Sequence, residues 1–418
     1  MDRFVIEGPT RLVGEVTVGG AKNAVLPLMA SALLAKGESV IDNVPDLRDV
    51  RTFARLLDIL GARCTFAGDT LHIDTTELTG IEAPYDLVKT MRASIYVLGP
   101  LLASRHEARV SLPGGCAWGP RPVNLHLEGL RKLGAELELE EGYINARAEG
   151  GLKGDTFKFE PTSVGATCNV LMASVLAEGR TELLNCAIEP EVTQLVEALA
   201  DSGAHIEGAG TRTLVIEGVK EIRPLRTRVI PDRIEAGTFM AAAAITGGEI
   251  SVRSCRPDHL EAVINVMQGM GCRIESTGDV IDISAPDRLR PIEISTRPFP
   301  GFPTDMQAQV MAAASLGDGT SFLTETIYTD RFTHVAELKR LGAEIEMDGA
   351  TAVIKGCESL KGAPVMATDL RASAALILAG IAAEGITQVD RVYHIDRGYE
   401  KIESKLASLG ASIRREKA

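Results

Sequence analysis

Apolar positions along the chain group into two alternating kinds of helical segment. The first kind is apolar nearly all round and rich in small residues. It occurs as NAVLPLMASALLA from Asn23, RASIYVLGPLLA from Arg92, GATCNVLMASVLA from Gly165, EAGTFMAAAAI from Glu235, DMQAQVMAAAS from Asp305 and RASAALILAGIAA from Arg371. Helices of this composition are expected to be buried inside a domain. The second kind is amphipathic, with an apolar residue every three or four positions, as in RTFARLLDILG (51–61), VTQLVEALADSG (192–203) and VAELKRLG (335–342). Each stops at a glycine followed by strand-like sequence, which predicts a helix C-terminus there. These glycines are Gly61, Gly134, Gly203, Gly271, Gly342 and Gly410, about 70 residues apart, a spacing that marks an internal repeat.

The sixth copy is short, because only ASIRREKA follows Gly410, whereas MDRFVIEGPTRLVGEVTV (1–18) holds strand-like runs with no helix before them. The N-terminal strands are therefore expected to complete the sixth copy. Six copies divide into two α/β domains of three. Domain I covers 22–229, and domain II joins 1–21 to 230–418. The basic, proline-flanked stretch RPLRTRVIP (223–231) reads as the crossing between them. Two crossings allow a hinge and predict a cleft between the domains, a usual place for ligands.

Composition narrows the function. A net charge of −13 argues against a nucleic-acid partner, which needs a basic face. The seven cysteines are odd in number and lack Cys-x-x-Cys spacing, which suits a reduced, cytoplasmic protein. The N-terminus is acidic and broken by proline, unlike a signal peptide. The longest apolar runs fall short of the ~20 residues a membrane span needs, so no membrane partner is expected. There is no Gly-x-Gly-x-x-Gly, no P-loop and no His/Cys cluster, so neither a cofactor nor a metal is expected.

The acidic balance makes the placement of the cations informative. Lys22 with Asn23, Arg92 and Arg371 fall at the starts of buried helices, where the helix dipole opposes a cation unless an anion compensates it. Ser163-Val164-Gly165 opens another such helix with a turn suited to offering backbone N–H groups. Arg331 and Arg397 stand on loops. These residues predict an anion site. Asp305 opens the fifth helix and reads equally as an N-cap or as a carboxylate base. Asp232 and Glu235 read as capping or hinge residues.

One loop stands apart: SLPGGCAWGPRPVNLHLE (111–128) sets Cys116 among glycines and prolines with Arg121 close by. A neighbouring cation favours thiolate, and no packed element has this composition, so the residues favour a chemically active thiol over a small core hydrophobe. His126 reads as packed or surface and not as a partner of that thiol.

With these motifs together the chain resembles the enolpyruvyl transferases over its full length. The motifs are GGAKNA (19–24), PGGCAWGPRPV (113–123), SVGAT (163–167), PDRIE (231–235), GFPTDMQ (301–307), DLRA (369–372) and DRGYE (396–400). The resemblance implies a two-domain inside-out α/β barrel of six βαβαββ repeats, closing over its substrates. It implies transfer of enolpyruvate from phosphoenolpyruvate to the 3′-hydroxyl of UDP-N-acetylglucosamine with release of phosphate, the first committed step of peptidoglycan synthesis; the sequence does not fix the oligomeric state, and a monomer is expected. It implies that Lys22, Arg121 and Arg397 hold phosphoenolpyruvate, with Arg331 and Arg371 nearby. Asn23, Arg92, Arg121, Pro122, Val123, Asn124, Leu125, Ser163, Val164, Gly165, Asp305 and Ile327 would line the nucleotide-sugar site. Cys116 would protonate the methylene carbon, and Asp305 would take the hydroxyl proton. The alternatives are the shikimate-pathway enolpyruvyl transferase, which lacks the Gly-Gly-Cys loop, and a silent repeat scaffold. Trp118, Pro161 and Asn124 depart from the family pattern, where an aliphatic residue, a lysine and an aspartate are expected.

Overall fold

The computed structural model describes residues 2–89, 91–112 and 123–417. Cys116, Trp118, Arg121 and Pro122 lie outside them, so the cysteine loop rests on the sequence alone. The chain divides into two compact units, Gly20–Ile230 and Met1–Gly19 with Pro231–Ala418.

Among the described residues each unit holds three four-stranded sheets built to one plan. A short edge strand runs parallel to a central strand, which pairs antiparallel with a third, and the third pairs antiparallel with the other edge. In one sheet Glu82–Ala83 lies parallel to Glu107–Ser111, which pairs with Tyr143–Arg147 and through it Glu136–Glu140. Burial alternates along the inner strands, as in Thr213–Glu217 and Thr351–Lys355. Each sheet therefore buries one face against the apolar helices and leaves the other wet.

Three strands complete sheets far from them in sequence. Arg226–Arg228 runs parallel to Glu38–Asp42, and Val13–Thr17 runs parallel to Glu249–Arg253. Asp2–Gly8 lies between Gly385–Asp390 and Ser412–Lys417, antiparallel to both, with Ile6 opposite Thr387 on one side and Ile413 on the other.

The small-residue segments form the buried helices. In Arg233–Thr246 every residue from Ile234 to Ile245 is buried, and this helix packs on Gln307–Ala314 and Leu370–Ala382. The amphipathic segments bury one stripe: in Arg48–Ile59 the chain turns Val50, Phe53, Ala54, Leu56 and Leu57 inward and leaves Arg51, Arg55 and Asp58 outside the buried set. All six marker glycines take positive φ, from 91° at Gly134 to 109° at Gly203, a conformation that L side chains resist.

One segment departs from expectation. RASIYVLGPLLA is not a single α-helix but a 3₁₀ helix, Arg92–Val97, running into an α-helix, Leu98–Arg105. Two causes are visible. Pro100 has no N–H and crowds the preceding turn. The amide of Asn169, on Val164–Ser174, also enters the hydrogen-bond ladder: Gly99 N donates to Asn169 Oδ1 at 2.6 Å and Asn169 Nδ2 donates to the Ile95 carbonyl at 2.8 Å. A Cβ on Gly99 would come within 2.2 Å of the Asn169 carbonyl oxygen, so only glycine admits this approach.

Candidate active site

In the unit Gly20–Ile230 the described expected residues fall at the starts of helices. Lys22 is the first residue of Lys22–Ser31, Arg92 opens the 3₁₀ segment, and Val123 is the N-cap of Asn124–Lys132. Ser163 caps Val164–Ser174, its hydroxyl accepting from Ala166 N at 3.3 Å. Asn23 and Asn124 are exposed, Leu125 is buried, and Val164 and Gly165 are half-buried. Pro161, where the family pattern has lysine, is exposed and offers no cation.

Lys22, expected at an anion site, has a carboxylate beside it. Its ammonium already meets the buried Asp49 carboxylate at 2.8 Å. Asp49 was not singled out from the sequence. Its place in the first turn of an amphipathic helix is ordinary, and nothing local reveals a partner on another helix.

His126 is packed, one of the two placements expected of it. Its Nδ1 accepts from Asn169 Nδ2 at 3.0 Å. Burial first, and the nearby Arg92 charge second, push its pKa down to about 3. His334, in the other unit, is pushed down to about 4 by burial, which outweighs the opposing pull of Asp369. Because both folded values lie below the unfolded one, folding loses stability as pH falls from about 6.5 toward 4. Each histidine contributes a slope of at most roughly 1 kcal/mol per pH unit. The buried Glu235 carboxylate, raised by desolvation against the pull of Lys405, acts in the opposite sense. Melting temperatures of wild type and His126→Gln between pH 7 and 5 should therefore diverge less at the acid end; parallel curves would refute a neutral buried imidazole.

In the other unit Asp305, Arg331 and Arg371 form one cluster. Arg331 Nη1 donates to Asp305 Oδ1 at 2.8 Å, and Arg371 Nη2 donates to Asp305 Oδ2 at 3.0 Å. Arg371 is 2% exposed and Arg331 5%, so both buried charges gain from this carboxylate. Burial alone would raise the Asp305 pKa; the Arg371 and Arg331 guanidiniums outweigh it and hold the carboxyl well below the usual carboxylate range. Asp305 is therefore neither the N-cap of its helix nor, in this arrangement, a strong base.

A second carboxylate braces the cluster. Glu325, fully buried, accepts from Thr296 Oγ1, Ile327 N and Tyr328 N on one oxygen (2.7–3.0 Å) and from Thr304 Oγ1 on the other at 2.8 Å. Thr304 has a single hydroxyl hydrogen, and it goes to Glu325. Its oxygen is thus left to accept from Arg331 Nη1 at 3.0 Å. Glutamate is almost never fully buried, and the run TETIYTD shows no pattern that would betray it. Beneath this layer Gln309 Nε2 reaches the Asp305 carbonyl at 3.0 Å, and Tyr399 shares a 2.8 Å hydrogen bond with Thr238.

Asp232 caps its helix through Ile234 N and Glu235 N, as expected of a capping residue. Glu235 caps nothing; it accepts from Gly19 N and Lys405 Nζ. Arg397 ends the 3₁₀ helix Val392–Arg397 and is half-buried. The preceding Asp396 is anchored through both oxygens by Arg415, on the last strand.

A family model for EPSP synthase (3-phosphoshikimate 1-carboxyvinyltransferase) matches residues 6–406. A UDP-N-acetylglucosamine 1-carboxyvinyltransferase of Anaeromyxobacter sp. (strain Fw109-5) is 55% identical over 422 residues, covering all of both chains. One from Geobacter metallireducens is 54% identical over 417 residues, again end to end. Among solved structures, the enolpyruvyl transferase NikO from Streptomyces tendae superposes with a TM-score of 0.91 at 27% identity, over 100% of this chain and 99% of that one. An EPSP synthase from Acinetobacter baumannii superposes at 0.75 with 19% identity over the whole of both chains, a likeness of fold alone.

Proposed function

The chain belongs to the EPSP synthase family of carboxyvinyl (enolpyruvyl) transferases, and from that membership we propose that it transfers the enolpyruvyl group of phosphoenolpyruvate to the 3′-hydroxyl of UDP-N-acetylglucosamine, releasing phosphate, in the cytoplasm. The observation that carries this acceptor is the end-to-end identity of 54–55% to transferases named for it. The PGGC motif at 113–116, which the shikimate-pathway enzymes lack, agrees with it. Each unit is read as an inside-out α/β barrel with its helices within and its three sheets outside. The burial of Ile234–Ile245 on every side supports this.

The chemistry is an addition followed by an elimination. A proton joins the methylene carbon of phosphoenolpyruvate while the sugar oxygen bonds to the adjacent carbon and gives up its own proton. Loss of phosphate, with loss of one methyl proton, then restores the double bond on the new ether. The first step needs an acid at the methylene and a base at the hydroxyl, and Cys116 and Asp305 are assigned to them. It also develops positive charge beside an anionic donor, so fixed cations must hold that donor in register. Lys22, Arg121, Arg331, Arg371 and Arg397 are assigned to this work. Asn23, Arg92, Val123–Leu125, Ser163–Gly165 and Ile327 are assigned to the nucleotide sugar.

Phosphate release from phosphoenolpyruvate tests the reading. It should appear with UDP-N-acetylglucosamine and not with shikimate 3-phosphate. The reverse preference would make this the shikimate-pathway enzyme, and release with neither would leave a scaffold. The brace around Arg331 gives a finer expectation. Thr304→Val removes the acceptor and should raise KM for phosphoenolpyruvate about tenfold, a typical charge-assisted hydrogen bond. Thr304→Ser keeps it and should stay within about threefold. Equal effects of the two substitutions would show that the hydroxyl does not orient Arg331.

A further inference from the structure

The geometry points to Asn169 as a positioning residue for the sugar-nucleotide site, an inference that rests on the transferase reading above. Asn169 lies one turn inside Val164–Ser174 and is fully buried. Its amide orientation is fixed by the backbone groups it meets. The Gly99 N–H requires the oxygen, and the Ile95 carbonyl requires the nitrogen. The second amide hydrogen then points to His126 Nδ1 at 3.0 Å. An amide nitrogen cannot accept, so Nδ1 is the acceptor, and the ring is neutral with its proton on Nε2. All three hydrogen bonds of this buried amide run to other segments, and none runs within its own helix.

Those segments are the ones that carry the nucleotide-sugar residues. Ile95 lies one turn after Arg92, His126 directly follows Leu125, and Asn169 itself lies one turn after Val164 and Gly165. The imidazole rests against Gly165: a Cβ there would come within 3.2 Å of Nε2. One side chain thus ties together three substrate-bearing helix starts.

Helix formation alone does not call for a polar group here. A buried amide costs free energy unless every bond is made. With an apolar residue at 169, Gly99 N–H and the Ile95 carbonyl are spaced to bond each other as in an ordinary α-helix. What the amide does is hold Arg92–Val97 in its 3₁₀ form. That form rises about 2.0 Å per residue against 1.5 Å in an α-helix, so over this segment the two forms place Arg92 roughly 3 Å apart. Asn169 sets how far Arg92 stands from the Ser163–Gly165 turn.

The test is Asn169→Ala in the full chain, read by calorimetric binding of UDP-N-acetylglucosamine and by steady-state kinetics. The variant should remain folded, because the two backbone groups it releases can pair and only the His126 Nδ1 acceptor loses its donor. UDP-N-acetylglucosamine should bind at least tenfold more weakly, while KM for phosphoenolpyruvate at saturating sugar nucleotide changes less than threefold. Binding within twofold of wild type would overturn the inference, as would an equal loss for both substrates. If the alanine variant does not fold, Asn169→Ser is judged by the same criteria, since a serine hydroxyl can bond within its own helix. Wild-type protein that fails to bind UDP-N-acetylglucosamine would instead overturn the transferase reading.

Discussion

Asp305→Asn is expected to lower kcat by about 10²–10⁴, the range for losing a positioned base, and to leave a protein that binds phosphate more tightly than wild type. The two effects have one cause. Arg331 and Arg371 both point at the Asp305 carboxylate and hold it ionised far below its ordinary pKa. A base suppressed in this way is ready to accept a proton but reluctant to do so. An anionic donor that docks on the same guanidiniums weakens their hold and raises the basicity of Asp305 when substrate is present. Removing the carboxylate deletes the base and also the competitor for the anion. It takes from Arg371, 2% exposed, the carboxylate that it hydrogen-bonds, a loss of about 3–5 kcal/mol for a broken buried pair. Because the folded pKa is depressed, this contribution is present above the unfolded value of about 3.9 and fades as pH falls through the folded one. Thermal shifts with inorganic phosphate check the account: the stabilisation by phosphate should be larger for Asp305→Asn than for wild type. Equal shifts would mean that Asp305 does not compete for the arginines.

Cys116→Ala should abolish turnover, and Cys116→Asp should retain part of it. Alanine has no proton to donate to the methylene carbon, whereas a carboxylic acid has one. Full activity in the alanine variant would remove Cys116 from the mechanism. The same thiol should be the single site of attachment of the epoxide fosfomycin. The six other cysteines explain the selectivity. Each is buried or half-buried, and burial is the first cause raising their thiols, to about 12 at Cys64 and Cys186 and about 11 at Cys255 and Cys272. Thiols that stay protonated at neutral pH are poor nucleophiles. Mass spectrometry that finds the adduct on any of those six, or none on the Cys116 peptide, would refute the assignment.

The repeat was legible because its signals are local. A helix that must stop in a positive-φ residue selects glycine, as at Gly61 and Gly271, and a helix buried on all sides selects small apolar residues, as in EAGTFMAAAAI. The short tail after Gly410 pointed to a missing strand for the same reason. The electrostatics were legible only in part, because a charge names its sign and not its partner. Lys22 and Arg371 were read as part of an anion site, and the carboxylates that face them, Asp49 and Asp305, were not foreseen as their partners. Asp49 lies a whole repeat element away in sequence, and Glu325 looks like any surface glutamate. The break in the helix from Arg92 was half-visible at Pro100. Its other cause, the amide of Asn169, arrives from a different repeat, and no periodicity could forecast it.

The position of Asp2–Gly8 between Gly385–Asp390 and Ser412–Lys417 bears on how the protein is made. That strand leaves the ribosome roughly 380 residues ahead of the first of its partners, a delay of about 20–80 s at ordinary rates of synthesis. In that interval Gly20–Ile230 can finish its own core while Phe4, Val5 and Ile6 remain a bare apolar strand with two unsatisfied edges, the kind of segment that other nascent chains and chaperones capture. The unit that holds this strand is thus the one that finishes folding second, and the strand made long before its partners is the piece that closes it.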